Sequence, residues 1–226
     1  MSLKISNPLA AAPKAIVGCE FSGSVRNALR AAGVDAWSCD LLPAADGSPY
    51  HLQGDVLGFL DAEGWGLGIF HPPCTYLSSS GLHWNKRRPD RAELTEQAVE
   101  FARRLIECRI PRTAVENPIG CLSTRVRPPE QTIQPWQFGA DASKATCLWL
   151  KDLPPLVPTQ YVPPRVVLHE GKFAMRWANQ TDSGQNNLPP SEDRWAKRSE
   201  TYPGIASAMA AQWAPLLLVQ QERCDV

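Results

Sequence analysis

No two cysteines in this sequence are spaced Cys-x-x-Cys, and histidine is scarce, with four in 226 residues. The seven cysteines are Cys19, Cys39, Cys74, Cys108, Cys121, Cys147 and Cys224. Their odd number and wide scatter argue against a disulfide framework and against a structural zinc site. A reducing, cytosolic compartment is the simplest expectation, with no bound metal. No apolar run approaches the ~20 residues that span a bilayer, since Ala214–Val219 is far too short, so no membrane is expected. The first twenty-one residues, MSLKISNPLAAAPKAIVGCEF, lack a signal-peptide core. Net charge is missing too, with Lys plus Arg at 23 and Asp plus Glu at 23. That balance excludes a dedicated nucleic-acid coat protein but not an enzyme that touches nucleic acid through one face. Internal repeats and low-complexity segments are absent. The oligomeric state is left open.

The length suits one substantial core with a small appendage. Residues 1–13 read as a loose leader. Lys14–Cys19 is an apolar run suited to a buried strand, followed by a turn at Glu20–Ser24 and a helix over Val25–Ala32 closed by Gly33. A strand over Val34–Cys39 ends at Asp40, and residues 41–53 read as a loop. Val56–Leu60 reads as a short helix. Leu67–Phe70 is a third strand, stopped by Pro72 and Pro73. After a polar loop, Arg91–Cys108 is a helix with Leu94, Ala98, Phe101, Leu105 and Ile106 on one stripe. Thr113–Val115 is the next strand. Such alternation predicts an α/β fold of Rossmann-like type, a mostly parallel sheet with helices on both faces. Most of the 21 prolines follow Pro111. Gln131–Pro135 and Ala145–Leu150 read as further strands, and Ile205–Leu218 as a closing helix interrupted near Pro215. The expected division is a catalytic core at 1–150, a substrate-side appendage at 151–200 and a returning helix at 201–226.

Open parallel sheets bind ligands at the carboxyl ends of their strands. Four clusters lie there: Glu20 to Gly23, Asp40, His71 to Cys74, and Glu116 to Pro118. The agreement of all four with the rule outweighs any one of them. At the first, Phe21, Ser22 and Gly23 form a turn where glycine admits a ligand and the next helix can present its amino end. Asp40 is placed to bind ribose hydroxyls, and Asp55 after Gly54 to accept from an adenine amine; singly, each also reads as a surface carboxylate. Pro72 and Pro73 preset an extended backbone that holds Cys74 at the mouth of the sheet. Alone, that tripeptide reads better as a tolerated loop cysteine, and Glu116 alone reads also as a capping or turn acid before a proline.

Together these clusters resemble the DNA cytosine-5 methyltransferase family. They run in the family's order: a Phe-x-Gly turn, a ribose-binding acid, a Gly-Asp pair, a Pro-Cys nucleophile and a Glu-Asn-x strand end. HPPCTYLSSSG, with Ser78 after the Pro-Cys, is the strongest match, and AVENPIG the next. QPWQFG, KATCLWL and RSETYPGIASAMAAQW are similar to segments of short methylases carried by bacteriophages and prophages. The chain departs from the family at Val25 and Arg26, where further glycine is usual, and at Pro118, where valine is usual. Thr124-Arg125-Val126-Arg127 is only a partial counterpart of the family's Gln-x-Arg-x-Arg strand. The large target-recognition domain is missing, and only 151–200 stands in its place.

The resemblance implies S-adenosylmethionine as cofactor and cytosine-containing DNA as partner. Phe21, Ser22, Gly23, Asp40, Asp55 and Pro72 would hold the cofactor. The Cys74 thiolate would add at carbon 6 of cytosine, so that carbon 5 attacks the methyl group. Its pKa needs lowering by nearby cations or backbone donors. Glu116 would hold or protonate N3, and Arg125 or Arg127 would orient O2. Pro73, Ser78 and Asn117 would line the base site, with Arg87, Arg88 and Arg91 on phosphates. That charge run reads equally as a solvated helix start. Arg165, Lys172, Arg176, Arg194, Lys197 and Arg198 form a possible second basic face; Trp177 and Trp195 are read as packing. Three alternatives stand beside this reading. The substrate is a free cytosine nucleotide; the transferred group comes from a carboxylated cofactor held by Arg26 or Lys144; or the chain is a catalytically silent nucleic-acid-binding module.

Overall fold

The computed structural model describes residues 14–192 and 194–224. The expected leader at 1–13 lies outside the described residues. In chain order the elements are β1 (Lys14–Gly18), α1 (Ser24–Ala31), β2 (Ala36–Asp40), β3 (His51–Gln53), β4 (Trp65–Phe70), α2 (Ser79–Leu82), α3 (Pro89–Ile106), β5 (Arg112–Pro118), α4 (Leu122–Arg125), β6 (Gln131–Ile133), β7 (Thr146–Lys151), β8 (Arg165–His169), β9 (Lys172–Arg176), α5 (Arg194–Ser199) and α6 (Pro203–Cys224).

Seven strands form one sheet in the order β3-β2-β1-β4-β5-β7-β6. The five strands from β3 to β5 are parallel, and β7 runs antiparallel to both β5 and β6. Helices cover both faces, as the Rossmann-like α/β expectation requires. Strand alternation sorts the core. Ala15 and Val17 point to a cluster with Val25 and Leu29 of α1 and Met209, Trp213 and Leu217 of α6. Ile16 points the other way, with Phe70, Val115 and Val99, Ala102 and Leu105 of α3. Each of the Val, Leu, Ile, Phe and Met side chains among them, fully buried, contributes roughly 1.5–3 kcal/mol.

Several local expectations are corrected. The expected loop at 41–53 contains β3, whose three residues pair with Ser38, Cys39 and Asp40 of β2. Val56–Leu60 is reduced to a single 3-10 turn at Val56–Gly58, capped by Asp55. Helix α3 starts two residues early, at Pro89, where a proline in the first turn loses no hydrogen bond. Its buried face is Thr95, Val99, Ala102, Leu105 and Ile106, rotated from the expected stripe. The reason is polar: Thr95 Oγ1 donates to the Tyr76 carbonyl (3.2 Å) and accepts from Asn85 (2.9 Å), which turns this residue inward. Helix α6 runs through Pro215 without ending. One backbone donor is lost there, but Trp213, Ala214 and Leu217 around it are buried.

Within 151–200, Leu153 and Leu156 join the main core. Beyond them β8 and β9 form an antiparallel hairpin, with Val166 opposite Met175 and Leu168 opposite Phe173, all four exposed on one face. Its root is fixed. Trp177 stacks on Trp136 (5.3 Å between rings), and Asn179 exchanges two hydrogen bonds with the backbone of Ser143.

A buried cation pins the loop after β2. Arg26 has no solvent exposure; it donates to Ser38 Oγ (2.7 Å) and to Asn27, and pairs with Asp46. The hydrogen bond from Asn27, aided by the Ser48 amide and Arg26, holds the Asp46 carboxyl below the ordinary 3.8. Asp46→Ala should destabilise the fold by about 1–3 kcal/mol in urea titrations at pH 7, because it strands a charged donor. A carboxyl with a depressed folded-state pKa stabilises fully above its unfolded value and loses that contribution as pH falls through the folded one. The difference between wild type and Asp46→Ala should therefore hold at neutral pH and shrink below about pH 4.

Candidate active site

The loop carrying Cys74 is built by donors lost and donors regained. His71 N–H still reaches the Gly18 carbonyl (3.0 Å), and the next two residues, both proline, have no N–H to continue the ladder. Pro72 is buried, whereas Pro73 and Cys74 are exposed. The Cys74 carbonyl accepts from Leu77 and Ser78 (3.1 and 3.0 Å), which folds the loop back. The end of β5 then clamps it. Asn117, itself buried, donates Nδ2 to the Pro72 carbonyl (2.8 Å). Ser79 N–H reaches the Ile119 carbonyl (3.0 Å), and Cys121 N–H the Leu77 carbonyl (2.9 Å). This approach requires Gly120, where a Cβ would stand 1.9 Å from the Leu77 carbonyl oxygen. The Cys74 loop and the Glu116-Asn117 strand end are thus one unit. The Ser78 hydroxyl lies 3.3 Å from Ser80 Oγ.

Glu116 sits at the end of β5 with its carboxylate 3.3 Å from His71 Nδ1. Desolvation is the largest influence on it and acts upward; the hydrogen bond and charge of His71, with Lys144 and Thr146, outweigh it and hold its pKa below the usual range. The thiol of Cys74 goes the other way. Desolvation raises it, Lys144 and Arg198 pull it down, Glu116 pushes it up, and the net direction is upward. The activating cations expected for a nucleophile are therefore present, but in the free protein they are outweighed. Lys144 lies just before β7 and donates to the Arg198 carbonyl (2.9 Å), so it holds the end of α5 near the site. Glu116, Lys144 and Thr146 line a narrow cleft with Ser199 to Tyr202 and Ile205.

Lys144→Gln should therefore push the thiol further up. The rate of Cys74 alkylation by iodoacetamide at pH 7.5 should fall severalfold, since the thiolate fraction drops about tenfold each time the thiol pKa rises by one. The alkylation pH profile should move to the alkaline side; an unmoved profile would remove Lys144 from this role.

On the cofactor side, the residues group differently from expectation. Glu20 is buried and its carboxylate accepts from the Val25 and Arg26 amides (2.6 and 3.2 Å). The amino end of α1 is thus capped from within the chain and does not lie open to an anion. Burial raises the Glu20 pKa, and His71 and those two amides oppose it. Gly23 adopts φ 75°, and a Cβ there would fall 2.1 Å from the Arg26 guanidinium. The glycine makes room for Arg26, so Arg26 is not a free cation for a carboxylated cofactor. The Phe21 carbonyl accepts from Ala45 N–H (2.9 Å), and Ser22 Oγ lies 3.3 Å from Ser24 Oγ. Asp40 Oδ1 accepts from Leu42 N–H, and Asp55 Oδ1 from Leu57 N–H, both at 3.0 Å. Asp40 closes β2 and Asp55 lies two residues beyond β3, so the two carboxylates stand at the ends of neighbouring strands.

The basic candidates are mostly engaged elsewhere. Arg125 forms a two-pronged pair with Glu96 on α3, and Arg127 pairs with Glu130 and donates to the Leu150 carbonyl (3.2 Å). The structure does not direct either towards Cys74. The partial counterpart of the family's Gln-x-Arg-x-Arg strand is no strand at its start, because Arg125 closes the single helical turn α4 and pairs with Glu96 of α3. Arg91 is a structural residue that donates to the Thr75 carbonyl (2.6 Å) and lies over the Tyr76 ring. Arg87 rests against Trp84, and Arg88 pairs with Asp90; both are exposed. Arg165 pairs with Asp182, and Arg176 donates to the Asp182 carbonyl, whereas Lys172 is exposed. The side chains of Trp195 and Lys197 lie outside the described residues. Two groups that sequence reading missed as thiol-directed cations are Lys144 and Arg198. Their separation from Cys74 in the chain leaves no local signal.

Among the described residues, no cluster of His, Cys, Asp and Glu could hold a metal ion, and no helix is long and apolar enough to cross a membrane. No family model matches the chain, and no curated protein matches it. Three solved structures are similar. A DNA modification methyltransferase encoded within an E. coli prophage superposes with a TM-score of 0.43 at 16% identity, covering 67% of this chain and 52% of its own. The S. pombe Dnmt2 methyltransferase gives 0.43 at 17%, covering 61% and 48%. The Entamoeba histolytica methyltransferase EhMeth gives 0.45 at 10%, covering 68% and 59%. The chain spans about half the length of these proteins.

Proposed function

We propose that this chain is a methyltransferase that uses S-adenosylmethionine to methylate carbon 5 of cytosine in DNA, with Cys74 as covalent nucleophile. The observation that carries the reading is the clamp between the Cys74 loop and the Glu116-Asn117 strand end. It unites a thiol and a carboxylate at neighbouring strand ends of a Rossmann-like sheet. Cytosine chemistry needs that pair. The thiolate forms an S–C6 bond, and the C5=C6 electron pair becomes available at C5. Glu116 accepts from the exocyclic amine with one oxygen and shares a proton with N3 through the other, so that charge does not accumulate on the ring as the S–C6 bond forms. With the cofactor bound, its S–CH3 bond would break as C5 takes the methyl group, leaving S-adenosylhomocysteine; loss of the C5 proton to water would then re-form the C5=C6 bond and expel the Cys74 thiolate.

The residues fit the cofactor at its polar end. Asp40 and Asp55 would take ribose hydroxyls or an adenine amine, and Phe21 lies on the same edge. S-adenosylmethionine supplies the electrophilic methyl group when bound. Lys144 and Arg198 are the cations that would stabilise the Cys74 thiolate against the upward pull of burial. A cytosine within a duplex must leave the stack to reach this site.

The test is covalent trapping on an oligonucleotide containing 5-fluorocytosine. Fluorine at C5 cannot leave as a proton does, so the S–C6 bond persists after methyl transfer. An adduct by intact mass that requires S-adenosylmethionine is the expected result. Its absence on single- and double-stranded DNA of varied sequence, from folded protein, would sink the DNA reading; an adduct with 5-fluoro-dCMP alone would move the substrate to the free nucleotide.

A further inference from the structure

His71 is paired with one carboxylate of the site and its charge bears on a second. Its side chain is 7% exposed, and Nδ1 lies 3.3 Å from Glu116 Oε2. On its other side is the cofactor-side turn. The His71 amide is hydrogen-bonded to the end of β1, and the His71 charge acts on the buried Glu20 that caps α1. Nε2 is also buried and has no hydrogen-bond partner among the described residues. A buried imidazole nitrogen without a partner is costly. Packing alone would favour an apolar side chain at this place, directly before the two prolines. The ring's Nδ1 instead lies at hydrogen-bond distance from Glu116, the carboxylate read above as meeting the base.

We propose that His71 is a positioning residue that fixes the Glu116 carboxylate through an Nδ1–H hydrogen bond. This rests on the reading of Glu116 as the base-facing carboxylate. With Oε2 held by His71, and with Thr146 as a second side-chain hydrogen-bond partner, the carboxylate has a fixed orientation at the end of the strand. The groups facing Glu116 are His71 after β4, Lys144 before β7, Thr146 on β7 and the Cys74 thiol; those facing His71 are Glu20 and Glu116. The two strongest downward influences on the Glu116 carboxyl are the hydrogen bond and the charge of His71, so loss of this ring should release the carboxylate most.

The experiment is a carboxyl titration by NMR on the full chain labelled with 13C at glutamate, with Glu116 assigned by its loss in Glu116→Gln. In His71→Phe the Glu116 midpoint should rise by about one pH unit or more, a tenfold change in proton affinity. His71→Asn, whose amide can still donate, should restore part of the difference. An unchanged midpoint in both variants overturns the proposal. If His71→Phe does not fold, the 15N spectrum of wild-type His71 decides. A protonated Nδ1 that responds to Glu116→Gln supports the hydrogen bond, and a bare Nδ1 at neutral pH overturns it. Neither measurement needs turnover. An inactive protein with the expected titration would sink the methyltransferase reading and leave the His71–Glu116 pair standing, whereas an active one with unmoved midpoints would do the reverse.

Discussion

Cys74→Ser should abolish the 5-fluorocytosine adduct and lower methyl transfer by about four orders of magnitude or more, the scale on which loss of a covalent nucleophile is felt. Serine matches the shape but not the chemistry. Its hydroxyl is not ionised near neutral pH, and nothing in the site would ionise it. The fold should be untouched, because Cys74 is exposed and its loop is held by the backbone of residues 74–79 and by Asn117. Melting temperature within about 1 °C of wild type, with unchanged cofactor binding, would confine the loss to the chemical step. The other cysteines supply a control. Cys39 is buried with its thiol pushed up to about 12, and Cys108, Cys121 and Cys147 are buried as well. Alkylation of native protein should therefore label Cys74 before any of these four. Full activity in Cys74→Ser would end the covalent reading, however well the fold survived.

Gly120→Ala should be the most damaging single-methyl change in the site. A Cβ would stand 1.9 Å from the Leu77 carbonyl oxygen and 2.8 Å from its carbon. Both are backbone atoms, so no rotamer change relieves the contact. The Cys74 loop and the end of β5 must separate, which breaks the bonds from Ser79 to Ile119 and from Cys121 to Leu77. Overpacking of this kind costs about 1–3 kcal/mol, and two lost hydrogen bonds add to it. The larger effect should be on activity. A displacement of about 1 Å between nucleophile and carboxylate costs on the order of a hundredfold in rate. The discriminating comparison is Gly171→Ala in the β8–β9 turn, where a Cβ meets nothing within 4 Å. That glycine has φ 73°, so its substitution costs backbone strain but leaves the site alone. Equal activity losses in the two variants would show that stability, and not the clamp, governs the rate.

The sequence by itself determined the alternation of strands and helices, and with it the parallel sheet. Apolar runs such as Lys14–Gly18 and Trp65–Phe70 are buried on both faces and read as strands in any register. It also indicated that Glu20, Asp40, Cys74 and Glu116 lie at or just beyond the carboxyl ends of strands, although β5 runs on through Glu116 to Pro118, where it pairs with β7. Short elements escaped it. Strand β3 has three residues and no periodicity, and the β8–β9 hairpin lies in a polar segment where proline suggested loops. The rotation of α3 escaped too, since Thr95 is turned inward by a hydrogen bond to a distant carbonyl.

Only the tertiary structure decided which charges belong to the site. Arg125 and Arg127 lie close to the Glu116 strand in sequence, yet their partners are Glu96 and Glu130. Lys144 and Arg198 are remote from Cys74 in the chain, yet their charges bear on its thiol. Arg26, a candidate for a free cation, is closed beneath Gly23, and Glu20 caps the helix that might have met an anion. The physical reason is common to all of these. Apolar periodicity is local and survives in the sequence, whereas a charge acts over several ångströms through space and chooses its partner only after the chain has folded.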